Sequence, residues 1–553
     1  MSKNRSSALR AAAGMSLSAA LALVLACGDS SSGGSGGGSS TDQSAGTGSS
    51  SGASSGSQDA GSGSSSGGSS GSDGGSGSDG GSGSDGGSGS DGGSGGSGSD
   101  GGPGNPGMDS AVAEAGSDAA GSDGATPDAA PALTCNVRSY GAKGNGVTVD
   151  TAAIQAAIDA CAAAGGGTVV MQGGTFLSGM IRLKTNIDLH IDSTATLLGT
   201  QSVLDYPDTN PPTFNTQRKQ ARKALVYAES VDNVTVEGGG TINGNGGTGS
   251  LWTGPEAGRP MAMFTVLSTH VSVRNITIKD SAMWDLVSME DDYVTLDHVT
   301  INSPSKANRD GMDVVDCHHV VIAYASIQSG DDSICFKSGV RRGVDDVTVT
   351  NSVVQSFGAN ALKFGTGSYG AFTNVTFDTV TVNGAKNSAM SVESVDGADV
   401  KNITFRNITF QNVGAPLLIV LGDRGTSNFG GWPSNDVHKT GSLDTVLYEN
   451  IKGSHVTLPL GSLVTGTTTE RVKNISFTNV QITTLGGLTT VPADPPEYTT
   501  QYPEVSMFGN EPAFGYFIRH TDGVTFTSST VSAAPSDVRQ AIVTRDVTGL
   551  TIH

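Results

Sequence analysis

Two short stretches hold most of the acidic chemistry of the chain: Asn308-Arg-Asp-Gly-Met-Asp-Val-Val and, further on, Gly330-Asp-Asp-Ser-Ile-Cys-Phe-Lys-Ser-Gly. A third, Gly358-Ala-Asn-Ala-Leu-Lys-Phe-Gly, follows them. Two carboxyl groups on opposite sides of a glycosidic bond can hydrolyse it, one protonating the leaving oxygen and the other activating water or attacking. Crowding and partial burial push their proton affinities apart, so one keeps its proton while its neighbour is ionised. Whether these aspartates meet depends on the elements that carry them.

Laid over one another, the stretches place Met312 on Ile334 and Val314 on Phe336, continuing to Leu362 and Phe364, then to Met390 and Val392. Two apolar columns two residues apart are the inward positions of stacked strands, and they fix the register. Successive coils lie about 4.8 Å apart, so Asp310 stacks on Asp332 with Asp331 just before it. The outward column between the apolar ones holds Asp313, Cys335, Lys363 and Ser391; the next holds Val315, Lys337, Gly365 and Glu393. A solvated polar face would also be acidic. Carboxylates clustered without matched cations cost stability, however, which favours a functional site.

The surrounding sequence supplies such strands. Runs such as HVSVRNITIKD, YVTLDHVTINS, HVVIAYASIQS, NVTFDTVTVNG and NITFRNITFQN read as two brief strands around a polar pair, recurring every 20 to 30 residues or so. Hairpin signals are sparse within the units, which argues against a sandwich or barrel. The reading is an all-β domain over residues 132–553, a single-stranded right-handed parallel β-helix. One amphipathic helix, Thr151 to Ala164, is predicted to cap the open first coil, started by Asp150 or Thr151 and stopped by Gly165-Gly166-Gly167. Sequons such as Asn275-Ile-Thr and Asn402-Ile-Thr recur at one place in the unit and read as asparagines stacked at a turn. Segment 492–503 has no place in this pattern.

The rest of the chain is of a different kind. Of 553 residues 81 are glycine, and 31 Lys+Arg face 52 Asp+Glu, a net charge of −21 that argues against a general nucleic-acid binder. Residues 1–27 read as a signal peptide, with Lys3, Arg5 and Arg10 before an apolar run. The junction Val24-Leu25-Ala26-Cys27 resembles a bacterial lipobox, so Cys27 is the expected lipid anchor and the only membrane contact. Residues 28–131 are Gly, Ser, Asp and Ala with nothing to build a core, and they read as a disordered tether. The expected location is export, to the bacterial cell surface or outer membrane or else by secretion. Of the remaining cysteines, Cys135 and Cys161 are candidates for a disulfide pinning the helix to the chain entry. A monomer is expected.

At its acidic stretches the chain resembles glycoside hydrolase family 28, the polygalacturonase and rhamnogalacturonase group. NRDGMD is similar to that family's NTDG-x-D, and GDD with I-x-x-KSG to its second motif. Weaker similarity runs from VRSYGAKGNGVTVDTAAIQAAIDAC through GTINGNG and RPMAMF into the NITF units. The resemblance implies export, a pectic polyuronide substrate and single-displacement, inverting hydrolysis without metal or other cofactor. Carried over by position, Asp331 is the general acid, and Asp310 with Asp332 activates the water. Two motifs differ: the family's G-H-G is Gly358-Ala-Asn360-Ala here, and its R-I-K is Ser391-Val-Glu393. A uronate still needs a cation, and Lys363, Lys337 and Arg424 are the candidates. Asn308, Asp313, Asn360 and Glu393 complete the expected substrate-binding set. Two other readings stay open: a β-helix polysaccharide lyase using Ca²⁺ with Lys363 or Arg424 as base, and a catalytically silent glycan-binding protein.

Overall fold

The computed structural model describes residues 133–209, 222–247, 258–305, 307–425 and 439–553. The expected signal segment with Cys27 and the expected tether lie outside the described residues, as does Trp432, which the coil pattern of the sequence also leaves unplaced.

Among those residues, 31 strands join into one continuous sheet, each pairing in parallel with the strand one coil away. The fold is the expected right-handed parallel β-helix. A coil has three strands rather than the two per unit read from the sequence: Met312–Val315, His318–Ala323 and Ser326–Ser329, before the next coil begins at Ile334–Ser338. The strand of the first face shows in the sequence as stacked apolar columns and not as an alternating run, for a physical reason. Met312–Val315 and Ile334–Ser338 are buried at every position, so they show no alternation of polar and apolar residues. Towards the C-terminus the three faces fuse, and Ala371–Ser394 runs through all of them as one bent strand.

The interior is a set of columns. Phe377, Phe405, Tyr448, Phe477 and Phe526 stack ring on ring through five coils, with centroid spacings of 5.0, 5.1, 5.2 and 4.7 Å. Those spacings match the distance between paired strands, so the strand register itself sets the aromatic stack. At the corners asparagines accept positive φ and bond along the helix axis, as in Asn402 Nδ2 to Asn374 Oδ1 (3.0 Å) and Asn479 Nδ2 to Asn450 Oδ1 (2.9 Å). The sequon positions thus include a turn ladder, as read from the sequence.

The helix Thr151–Ala163 buries Ile154, Ala157, Ile158 and Cys161 against the first coil. Asp150 is its cap by position but not by side chain. Its carboxylate turns back to accept the N–H groups of Lys143 (2.7 Å) and Gly144 (2.9 Å), and Thr151 instead binds Gly179 N–H (2.8 Å). A disulfide joins Cys135 to Cys161, tying the entry strand Leu133–Asn136 to the helix. Cys317 and Cys335 are free and buried.

Candidate active site

The predicted register is present: Met312 pairs with Ile334, Val314 with Phe336, Phe336 with Phe364, and Phe364 with Val392. It breaks at Gly365, because Phe336 pairs with Phe364 but Ser338 with Ser368. Two extra residues bulge there, so Lys337 has no strand partner at Gly365, contrary to the simple column. The bulge lies over Glu393, whose backbone oxygen would stand 2.7 Å from a Cβ at position 365.

Above these strands the coil turns bring three carboxyl groups together. One oxygen each of Asp310, Asp331 and Asp332 lies within 4.8 Å of the others. The turn is tightly built. Gly358 passes so close to the carbonyl of Gly330 that a Cβ would come within 2.0 Å of the oxygen, which explains a glycine before the third stretch. Asp331 accepts the N–H of Asn308 (2.9 Å) and of Asp332 (3.0 Å). Its own backbone carbonyl is held by Ser329 and Ser356 (2.8 and 2.6 Å).

Each of the other two acids is held by its own cation. Lys337 Nζ lies 2.6 Å from Asp310, binds Asp313 as well, and sits 4.6 Å from the ring centroid of Trp284. Lys363 Nζ lies 3.3 Å from Asp332, 3.9 Å from Glu393 and 3.6 Å from Glu504. Burial favours the neutral amine in both lysines, but the surrounding carboxylates outweigh it and hold each as an ammonium ion. Burial, then the charges of Asp310 and Asp332, push the Asp331 carboxyl up to about 7. Burial also raises Asp310 against the pull of Lys337, and it raises Glu393 to about 8. A hard divalent cation would want six to eight oxygens. Here lysines already meet two of the three aspartates, so the donor set fits such an ion poorly.

Of the three aspartates, Asp331 is the one that lines a groove of about 900 Å³, with Asn308, Gly358, Asn387, Tyr502 and Glu504. Asp310 and Asp332 are recessed behind it, each 4% exposed. A second trough of about 580 Å³, lined by Thr381, Gln411, Lys452 and Gln481, has no carboxylate and so none of this chemistry.

Several residues expected at the substrate are placed differently. Asp313, Asn360 and Glu393 are fully buried. Asn360 donates its backbone N–H and its Nδ2 to Asp332 (3.0 and 3.1 Å) and accepts from Ser388, so it orients a catalytic candidate rather than meeting a hydroxyl. Arg424 is committed to Asp396, with Nε 2.9 Å from its carboxylate, and lies over the Tyr502 ring at 5.4 Å. It is a buried ion pair and not an open carboxylate grip. Three contributors were given no role in the motif reading. Arg259 binds the carbonyls of Ala282 and Ala307 (both 2.6 Å) and Asn308 Oδ1 (3.1 Å), fixing the turn that donates to Asp331. Tyr502 and Glu504 come from the stretch between Val472–Gly486 and Ala513–Thr527, beginning in the segment the coil pattern left unplaced.

A parallel β-helix with carboxyl groups gathered at a groove on one face defines the class, and solved structures share the fold. The exopolygalacturonase of Thermotoga maritima superposes with a TM-score of 0.54 at 18% identity, covering 73% of this chain and 92% of that one. The family 28 exopolygalacturonase of Yersinia enterocolitica does so at 0.56 and 17%, covering 76% and 78%. Residues 146–498 match the sequence model of the glycosyl hydrolases family 28, and the chain belongs to that family. Its relatives include the endo-polygalacturonase of Pectobacterium parmentieri, 26% identical over 291 residues that cover 49% of this chain and 71% of the relative. The exo-poly-alpha-D-galacturonosidase of Dickeya chrysanthemi is 26% identical over 257 residues, which cover 37% of this chain and only 42% of that enzyme.

Proposed function

We propose that this chain is an exported glycoside hydrolase that cleaves O-glycosidic bonds of a pectic polysaccharide. The observation that carries the reading is the trio of Asp310, Asp331 and Asp332 within 4.8 Å, with Asp331 alone of the three on the groove wall. Asp331, holding its proton to about neutral pH, donates it to the leaving oxygen. Asp310 and Asp332 lie too deep to reach a ring carbon, so they act through a water, which is single displacement with inversion. The close approach of the three oxygens by itself favours the other course, since inverting pairs usually stand about 6.5–9.5 Å apart and retaining pairs about 5 Å. The recession of the two bases outweighs that spacing, and the configuration of the first-formed sugar decides between them.

Family membership and the polygalacturonase relatives support the substrate class. The lipobox-like junction at Cys27 and the core-free tether support a lipid anchor that holds the domain off a bacterial surface. The test is incubation of the chain with a panel of pectic polymers. Reducing ends without new ultraviolet absorbance, unaffected by chelator, with an inverted anomer in the first minutes by NMR, are expected. Absorbing, chelator-sensitive products would instead select a lyase, and binding without cleavage a silent glycan-binding protein.

A further inference from the structure

The proposal rests on the hydrolase reading above and concerns which sugar the groove accepts beside Asp331. The segment after Gly486 brings Glu504 onto the groove wall, just ahead of the short helix Val505–Phe508. Glu504 Oε2 accepts from Asn387 Nδ2 (2.5 Å) and Asn360 Nδ2 (3.5 Å), and Oε1 lies 3.6 Å from Lys363 Nζ. Lys363 is therefore ringed by the carboxyl groups of Asp332, Glu393 and Glu504 and also reaches Tyr502 Oη at 3.4 Å. The other nearby cation, Arg424, is taken by Asp396. Lys386 stands on the same groove wall but is exposed, where an ion pair contributes little.

A uronate beside Asp331 would thus add an anion to a crowded acidic cluster whose two buried ammonium groups are already shared, Lys337 between Asp310 and Asp313 and Lys363 among Asp332, Glu393 and Glu504. Like charges brought together in a groove that shields them from water weaken binding. Hydroxyl groups face no such cost: an ionised carboxylate accepts from them, and the Asn308 and Asn387 side chains complete the pairing. We propose that Glu504 is a specificity-determining residue that makes the groove beside Asp331 select an uncharged sugar, either a neutral glycosyl residue or an esterified uronate, and reject a free uronate. The substrate is then a pectic polymer in which such a residue flanks the scissile bond.

The test uses the full chain carrying Asp331→Asn, which holds oligosaccharides uncleaved, and isothermal calorimetry. The probes are trigalacturonate, its fully methyl-esterified form and the galactose trimer of the same linkage. The uncharged trimers are expected to bind about tenfold tighter or more than the free acid. Adding Glu504→Gln is expected to shrink that preference to about threefold or less, with the melting temperature confirming that the variant is folded. Tighter binding of the free acid, a preference unchanged by Glu504→Gln, or binding of none of the three would overturn the proposal. Failure of the hydrolase reading shows elsewhere, as wild-type chain that yields no reducing ends from any pectic polymer, and the binding ratio does not depend on that result.

Discussion

At the residue scale, the three aspartates are distinguished by surroundings and not by type. Asp331 takes two backbone N–H groups and faces the groove, while its neighbours each lean on a lysine. This was legible in the sequence to the extent that backbone register dictates it. The apolar columns Met312/Ile334/Leu362 and Val314/Phe336/Phe364 fix which side chains stack, and Asp310 and Asp332 follow from them. Glu504 was not legible, and Arg259 showed only within RPMAMF with no role attached. Glu504 arrives on a stretch without periodicity, and Arg259 works mainly through backbone carbonyls, which leave no trace in residue types. A general acid acts only while protonated, and burial with two neighbouring charges raises the carboxyl of Asp331 to about 7. The account therefore expects kcat/KM to fall as pH rises through that value, and to fall also on the acid side, where the carboxylates that activate the water are protonated. A profile still rising beyond pH 8 would rule Asp331 out as the acid.

At the scale of elements, the recurring pair of strands and the capping helix were readable because each has one wet and one dry face. The third strand was readable only where apolar columns stack from coil to coil, since Met312–Val315 and Ile334–Ser338 are buried on both faces and show no alternation. The bulge at Gly365 was hidden for another reason: in this strand the apolar columns end at Phe364, and Thr366-Gly367-Ser368 beyond it carry no apolar residue to register the shift. The Cys135–Cys161 disulfide closes a loop with a sequence separation of 26 and secures the helix over the first coil. Replacing both cysteines by serine is expected to lower stability by about 3 kcal/mol, read as a shift of the denaturant midpoint without loss of the β signal. A midpoint unchanged within error would mean that the cap is held by packing alone.

At the scale of the molecule, the β-helix supports many buried carboxyl groups away from the groove. Burial raises Asp285, Asp291 and Asp316 each to about 7 from 3.8, although hydroxyl and N–H donors at each site oppose it. For an acid whose value is higher folded than unfolded, the stabilising contribution is complete below the unfolded value and is lost as pH rises through the folded one. The domain should consequently melt at a higher temperature at pH 5 than at pH 8. Asp291→Asn should narrow that gap, and a gap that widens instead would contradict the assignment. The composition change near residue 132 was plain in the sequence, because a tract of Gly, Ser, Asp and Ala gives way there to β-branched runs. What the sequence could not show is how distant segments converge on one groove, since residue 504 meets residues 360 and 387 only through the winding of the coils. The most direct test of the whole account is the rate at which Asp331→Asn releases reducing ends from a pectic polymer that the wild-type chain cleaves. The account predicts a loss of about 10²–10⁴-fold in kcat with an unchanged melting temperature; turnover at the wild-type rate would contradict it.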